Sequence, residues 1–180
     1  MNETSNIHFC DLRGVPVMER PSFVPINPQE TLDWILGLRI GVDWSKGTKC
    51  FNYPLVYIVG EDEFRIHSAG EHQVLYEIMG SIVELKDVDI LGGQAISYEV
   101  VDSENGLLRL EWNVVQANQE PAAPTIAVYY LRPTDIGFRI EKIVMESFST
   151  KDPIITALRV IKQVDGNIHA ARELVRLIQM

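Results

Sequence analysis

Four apolar runs between Asp87 and Phe148 constrain the fold of this chain more than any other feature. Turn-forming residues separate the runs, among them the Asn105-Gly106 pair and the two prolines of the second connection. Short apolar runs with such punctuation are typical of antiparallel strands joined by tight turns. The sequence therefore predicts a four-stranded meander, with strands at Gln94–Val101, Leu107–Ala117, Thr125–Arg132 and Phe138–Phe148.

The last of these runs contains a shift in its alternation. Phe138 and Ile140 hold the apolar positions at first, whereas Ile143 and Met145 hold them afterwards. Successive side chains point to opposite faces of a strand, so one extra residue would return the apolar set to the core side. We therefore expect a β-bulge near Glu141–Ile143.

Two strands and a helix are predicted ahead of the meander. Phe51–Gly60 has apolar residues on both faces, and Pro54 places its early part near a sheet edge. Glu61–Glu63 is predicted as an exposed turn, and Phe64–His67 as a short returning strand. Ser68-Ala69-Gly70-Glu71 has the pattern of a capping box. The residues after it form one face of an amphipathic helix: Val74, Leu75, Ile78, Met79, Ile82 and Val83.

The two ends of the chain add further segments. Residues 1–26 contain three prolines and predict an extended arm that packs on the domain or on a second subunit, with disorder as the alternative. Asn27-Pro28 predicts the start of a helix. Near the other end, Asp152-Pro153 predicts the first of two helices that Asp165-Gly166-Asn167 separates. We expect this hairpin to dock on the rest of the chain or on a partner subunit, although it also resembles helix-turn-helix and ubiquitin-associated hairpins.

Composition limits the classes of function. The formal net charge of −9 argues against nucleic acid as a partner, because phosphate backbones are bound by clustered Lys and Arg. No apolar run reaches the roughly 20 residues that span a bilayer, and Met1–Cys10 lacks the pattern of a signal peptide, so we expect a cytoplasmic protein without membrane contact. Cys10 and Cys50 are expected as reduced thiols, with a single disulfide as the alternative.

Local motifs point to a known fold family. The stretch Phe51-Asn52-Tyr53-Pro54-Leu55-Val56-Tyr57, Trp112 within a long strand, and Gly137-Phe138-Arg139-Ile140 in the last strand carry the resemblance, together with the order of elements. In these features the chain resembles the nuclear transport factor 2-like superfamily, which includes ketosteroid isomerases and polyketide cyclases. The resemblance covers about Pro28–Phe148.

The resemblance implies an α+β, cone-shaped fold in which a curved antiparallel sheet packs on N-terminal helices, here with a C-terminal helical extension. It implies a pocket at the wide end of the cone and a homodimer formed through the outer face of the sheet. The domain organisation that follows is an arm at residues 1–26, a cone domain at residues 27–148 and a helical hairpin at residues 149–180.

Large aromatic residues on the predicted strands and helices are the candidates for lining such a pocket. They combine apolar bodies with hydrogen-bonding tips, although alternating strand positions are core positions as well. Trp34 and Trp112 are favoured because large aromatics on opposing elements can leave a space between them. The six candidates are Trp34, Tyr53, Tyr57, Tyr76, Trp112 and Tyr130.

Titratable residues give no recognisable catalytic set. His67 and His72 are five residues apart and miss the four-residue spacing of a helical metal pair, so we expect no metal and no cofactor. The isomerases place a catalytic carboxylate near the first strand, but Tyr53–Val59 contains no Asp, Glu or His. Asp33 or Asp43 could act as a base if desolvated, with capping or an exposed face as the alternative.

The sequence therefore favours a protein that binds a small apolar or amphipathic molecule without evident catalysis. One alternative is a scaffold for homo- or hetero-association through the outer sheet face, the arm and the helical tail. The other is an enzyme of the isomerase, dehydratase or cyclase type that uses an unrecognised Asp, His and Tyr set.

Overall fold

The structure is a computed structural model that describes residues 50–86, 88–100, 106–116, 123–134 and 137–179. Two strands and a helix come first, followed by the four meander strands and two short helices. The predicted arm, the predicted helix after Asn27, and residues Cys10, Asp33, Trp34 and Asp43 lie outside the described residues. The elements are β1 Phe51–Val59, β2 Asp62–Ile66, α1 Ala69–Lys86, β3 Val88–Val100, β4 Gly106–Gln116, β5 Thr125–Thr134, β6 Gly137–Ser147, α2 Pro153–Gln163 and α3 Ile168–Gln179.

The six strands form one curved, open sheet in the order β2-β1-β6-β5-β4-β3. The meander β3–β6 pairs antiparallel throughout, as predicted, and β1 pairs antiparallel with β2. β1 and β6 pair in parallel, so the sheet is mixed. β3 begins at Val88 and not at Gln94, because pairing with β4 continues through the glycines with a shift of register between Leu91 and Gly93.

The predicted bulge in the last strand is confirmed. Tyr130 of β5 pairs with Lys142 of β6, whereas its neighbour Leu131 pairs with Ile140, so Glu141 is the extra residue. Ile140 and Ile143 are both buried on either side of this shift. The bulge therefore keeps the apolar side chains of β6 on the core side, as the alternation required.

The predicted turn at Glu61–Glu63 is wrong in its position. The turn consists of Gly60 and Glu61, and β2 pairs with β1 from Asp62 onwards. Gly60 has φ +62°, a left-handed conformation that glycine adopts without a steric cost, and this allows a two-residue connection. Pairing with β2 begins at Leu55, so the part of β1 that contains Pro54 extends beyond β2. This agrees with the prediction that Pro54 lies near a sheet edge.

The start of α1 has the predicted cap. The Ser68 hydroxyl accepts a hydrogen bond from the Glu71 backbone N–H (3.2 Å), and the Glu71 carboxylate accepts one from the His67 backbone N–H (2.7 Å). The buried face of α1 comprises His72, Val74, Leu75, Ile78, Met79 and Ile82. This is the predicted apolar face with His72 added and with Val83 only half-buried.

The C-terminal helices pack on the rest of the chain. α2 and α3 both contact α1, and their apolar residues join one core cluster with the inner face of the sheet. Asp152 caps α2 by accepting a hydrogen bond from the Ile154 backbone N–H (3.0 Å), as predicted. α3 is buried at Ile168, Ala171 and Val175, whereas Ile178 is 64% exposed. Among the described residues, none of the three helices is long and apolar enough to cross a membrane.

Candidate functional site

A histidine enclosed by aromatic rings lies where the first turn of α1 crosses β1. His72 is fully buried, with 0% of its surface exposed. Tyr53 and Tyr57 reach it from one face of β1, and the buried Leu55 lies between them on the same face. Tyr76 lies one helical turn after His72 in α1. The cluster therefore follows from the two-residue period of a strand and the four-residue period of a helix.

Both ring nitrogens of His72 are within hydrogen-bond distance of tyrosine hydroxyls. The hydroxyl of Tyr53 lies 2.9 Å from Nδ1, and that of Tyr57 lies 3.3 Å from Nε2. A neutral imidazole has one donor and one acceptor nitrogen. One tyrosine hydroxyl therefore donates to the ring and the other accepts from it, so the tautomer of His72 fixes the direction of both hydrogen bonds.

Aromatic packing fixes the orientation of the imidazole ring. The ring of Phe51 meets it edge-on at a centroid distance of 4.4 Å, and the ring of Tyr76 lies at 4.9 Å. Both distances are within or close to the range in which paired aromatic rings attract each other. The ring is therefore held by packing as well as by its two hydroxyl partners.

Burial keeps this group uncharged near neutral pH. It lowers the pKa of His72 to about 3, because the imidazolium form would lose its hydration. Burial, with a smaller contribution from Cys50, raises the pKa of the Tyr53 hydroxyl above its usual range. The pKa of the Cys50 thiol is raised to about 12, again mainly by burial, although Arg139 opposes this change. The site can therefore offer neutral hydrogen bonds.

Tyr53 is the hydrogen-bonding partner of His72 that is not fully buried. It is half-buried, whereas Tyr57 and His72 are buried. His72 is the hydrogen-bond partner of the Tyr53 hydroxyl among the residues that the structure describes. A phenolic hydroxyl can both donate and accept, so the Tyr53 hydroxyl retains capacity for a second hydrogen bond.

The structure brings three of the six aromatic candidates together around His72, namely Tyr53, Tyr57 and Tyr76. Trp112 is buried elsewhere, and its indole Nε1 donates to the Asp152 carboxylate at 2.7 Å. Tyr130 lies on the outer face of the sheet, where the Lys142 ammonium is 3.6 Å from the centre of its ring. Trp34 lies outside the described residues.

Sequence reasoning missed His72 as the centre of this site, because it considered the residue only as a metal ligand with His67. No group of three His, Cys, Asp or Glu side chains that could hold a metal occurs within the described part of the chain. The signal that identifies His72 is its spacing of three and seven residues from Leu75 and Met79, which places it on the buried face of α1.

Comparisons with known proteins show similarity in fold. No protein-family model matches the chain, and no curated protein sequence matches it. A domain of unknown function with a cystatin-like fold from Nostoc punctiforme is 14% identical, with a TM-score of 0.53 over 83% of this chain and 90% of that chain. A protein of unknown function from Mycobacterium tuberculosis is 14% identical, with a TM-score of 0.52 over 82% and 87% of the respective chains.

Proposed function

Because the chain has the nuclear transport factor 2-like fold, we propose that it binds a small amphipathic molecule inside the cone. Tyr53 would hydrogen-bond the polar end of this ligand. The observation that carries the proposal is the Tyr53–His72–Tyr57 group, in which a fully buried imidazole orients the hydroxyl of the half-buried Tyr53. Orienting a hydroxyl in advance lowers the entropic cost of a hydrogen bond to a ligand.

The charge state of the group supports an uncharged polar function on the ligand. His72 and Tyr53 are both neutral near pH 7, since burial lowers the pKa of the first and raises that of the second. Neither side chain can therefore form an ion pair with a carboxylate, a phosphate or an amine. A carbonyl, hydroxyl or amide on an apolar body is the ligand chemistry that fits such a site.

The same facts favour binding over isomerase, dehydratase or cyclase chemistry. An effective general base has a pKa near the working pH. His72 is far from this condition, since burial lowers its pKa to about 3, and its ring has no exposed surface. The group is therefore better suited to recognise a ligand than to remove a proton from it.

The test is a thermal-shift screen of the full chain against uncharged ketones, alcohols and amides with apolar bodies. A ligand at one hundred times its dissociation constant should add about 2.7 kcal/mol to the free energy of unfolding. Tyr53→Phe removes only the phenolic hydroxyl and should abolish most of the shift. Tyr130→Phe removes a hydroxyl on the outer face of the sheet and is the matched control. A shift that is equal in both variants would contradict the proposal.

A second candidate function is homo-association through the outer face of the sheet. The supporting observation is a row of half-buried residues across three strands of this face, in which Arg109 pairs with Val128 and Val128 with Val144. A second subunit would cover these valines. Val128→Lys should then reduce the molar mass measured by sedimentation to that of one chain, whereas an unchanged mass would exclude this interface.

A further inference from the structure

The hydrogen bonds of His72 form a continuous chain that joins a buried tyrosine to a half-buried one. Tyr57 is 3% exposed, and its hydroxyl lies 3.3 Å from Nε2 of His72. Tyr53 is half-buried, and its hydroxyl lies 2.9 Å from Nδ1 of the same ring. A change in the hydrogen bond at one end of this chain therefore bears on the hydrogen bond at the other end.

Two uncharged arrangements of hydrogens satisfy the chain. In the first, the Tyr57 hydroxyl donates to Nε2 and Nδ1–H donates to the Tyr53 oxygen, so Tyr53 has its hydrogen left to donate. In the second, the Tyr53 hydroxyl donates to Nδ1 and Nε2–H donates to the Tyr57 oxygen, so Tyr53 is left as an acceptor. A neutral imidazole carries one N–H, so any mixture of the two places two hydrogens or two lone pairs against each other. The arrangements contain the same hydrogens and differ in the tautomer of the ring and in the rotation of the hydroxyls.

Packing and burial oppose the other ways of changing this chain. The rings of Phe51 and Tyr76 hold the imidazole at centroid distances of 4.4 and 4.9 Å, which opposes rotation of the ring. An imidazolium would donate at both nitrogens, but burial lowers the pKa of His72 to about 3. Near neutral pH the hydrogen bonds of the chain therefore reverse together or stay as they are.

We propose that the polar group of the bound molecule sets the tautomer of His72, and that the site therefore takes uncharged ligands that are either hydrogen-bond acceptors or donors. This inference rests on the ligand site proposed above. An acceptor such as a carbonyl oxygen selects Nδ1–H, because Tyr53 then donates to the ligand and accepts from the ring. A donor such as an N–H selects Nε2–H, because Tyr53 then accepts from the ligand and donates to the ring. His72 is fully buried and acts as a positioning residue through Tyr53.

The test uses two uncharged bicyclic probes, indanone, whose polar group only accepts hydrogen bonds, and indole, whose N–H only donates. Each is titrated into the full chain labelled with ¹⁵N at histidine, and the ring nitrogens are observed by NMR. The signals of His72 are those that disappear in His72→Phe. A ring nitrogen with a hydrogen and one without have well-separated ¹⁵N shifts, so the spectrum reports the tautomer. Indanone should place the hydrogen on Nδ1 and indole on Nε2, which reverses the order of the two signals.

Two variants show whether the effect passes through the hydroxyl next to His72. Tyr53→Phe removes that hydroxyl and should abolish the reversal, whereas Tyr130→Phe, on the outer face of the sheet, is the matched control and should retain it. Binding of both probes that depends on Tyr53 but leaves the tautomer unchanged would overturn this inference and leave the ligand site in place. Binding of only one probe would show that the chain has a fixed direction and would also overturn it. If neither probe bound in a manner that depends on Tyr53, the ligand site itself would be contradicted, and this inference with it.

Discussion

His72 and Asp152 are fully buried polar residues, and their hydrogen bonds are used in different ways. His72 joins α1 to β1 through two tyrosine hydroxyls, one of them on the partly accessible Tyr53. Asp152 joins α2 to β4, and its two carboxylate oxygens accept hydrogen bonds from the Ile154 backbone N–H and the Trp112 indole N–H. Both residues are 0% exposed.

The difference lies in where each hydrogen-bond network ends. The network of Asp152 lies between buried groups at a helix start, where it satisfies the backbone of α2 and the tip of Trp112. The network of His72 includes the hydroxyl of the half-buried Tyr53. Buried polar groups cost free energy unless they are paired, so the first arrangement is explained by the stability it gives to the junction. In the second, the Tyr53 hydroxyl is the group that the proposed ligand would contact.

Removing the Asp152 carboxylate should have the largest effect on stability. Asp152→Ala leaves the buried Trp112 N–H without this acceptor and removes the cap of α2, which together should cost about 3 kcal/mol of the free energy of unfolding. Urea denaturation measures this cost. Glu173→Ala, in an exposed ion pair on α3, is the control and should cost under about 0.5 kcal/mol. If Asp152→Ala cost no more than this control, the junction would contribute little to the stability of the fold.

His72 should affect the pH dependence of stability. Its pKa is about 3 in the folded chain, because of burial, and about 6.5 in the unfolded chain. Between these values the unfolded chain binds a proton that the folded chain does not. The free energy of unfolding should therefore fall by up to about 1.4 kcal/mol for each pH unit below about 6.5. The buried, neutral His72 therefore causes no loss of stability above about pH 6.5, and it causes a growing loss as the pH falls towards 3.

The measurement compares urea denaturation of the wild type and His72→Phe between pH 7 and pH 4. The variant should have the shallower dependence on pH, because the carboxylates that titrate in this range are common to both proteins. Leu75→Ala, at a buried neighbour without a titrating group, should lower stability about equally at every pH. Parallel curves for the wild type and His72→Phe would show that His72 does not resist protonation in the folded chain.

The smallest expected effect is the difference in stability between the Tyr57→Phe and Tyr53→Phe variants. Tyr57→Phe leaves a buried ring nitrogen of His72 without its hydroxyl partner and should cost about 1–2 kcal/mol. Tyr53→Phe should cost less than about 1 kcal/mol, since water can reach this half-buried position and replace the hydroxyl. Thermal unfolding of both variants at neutral pH makes the comparison. Equal costs would indicate that the tip of Tyr53 is closed to water, and therefore to a ligand.

Local patterns in the sequence were sufficient for much of this fold. The four meander strands, the bulge at Glu141 and the caps at Ser68 and Asp152 each depend on residues within a few positions of one another. Alternation, turn residues and capping side chains report such local geometry directly. The start of β3 was placed too late because its glycines weakened the strand pattern.

The site was harder to predict from the same local patterns. The pattern selected Tyr53, Tyr57 and Tyr76 as large aromatic residues, but it could not tell that they share one neighbour. Their meeting point on His72 depends on how α1 crosses β1, which is a contact between elements. The positions of Trp112 and Tyr130, at a helix junction and on the outer face, depend on the same kind of contact.

The parallel pairing of β1 with β6 has a consequence for how the chain folds. β1 and β2 can form a hairpin early, and the meander can form from neighbours in sequence. The two parts become one sheet only when Phe51 pairs with Ile140, across a long loop. Closing a long loop costs chain entropy before any contact is gained, which slows folding. On the ribosome, the first strand must therefore wait for the last one to be synthesised, and until then the side of β1 that pairs with β6 remains open to other chains.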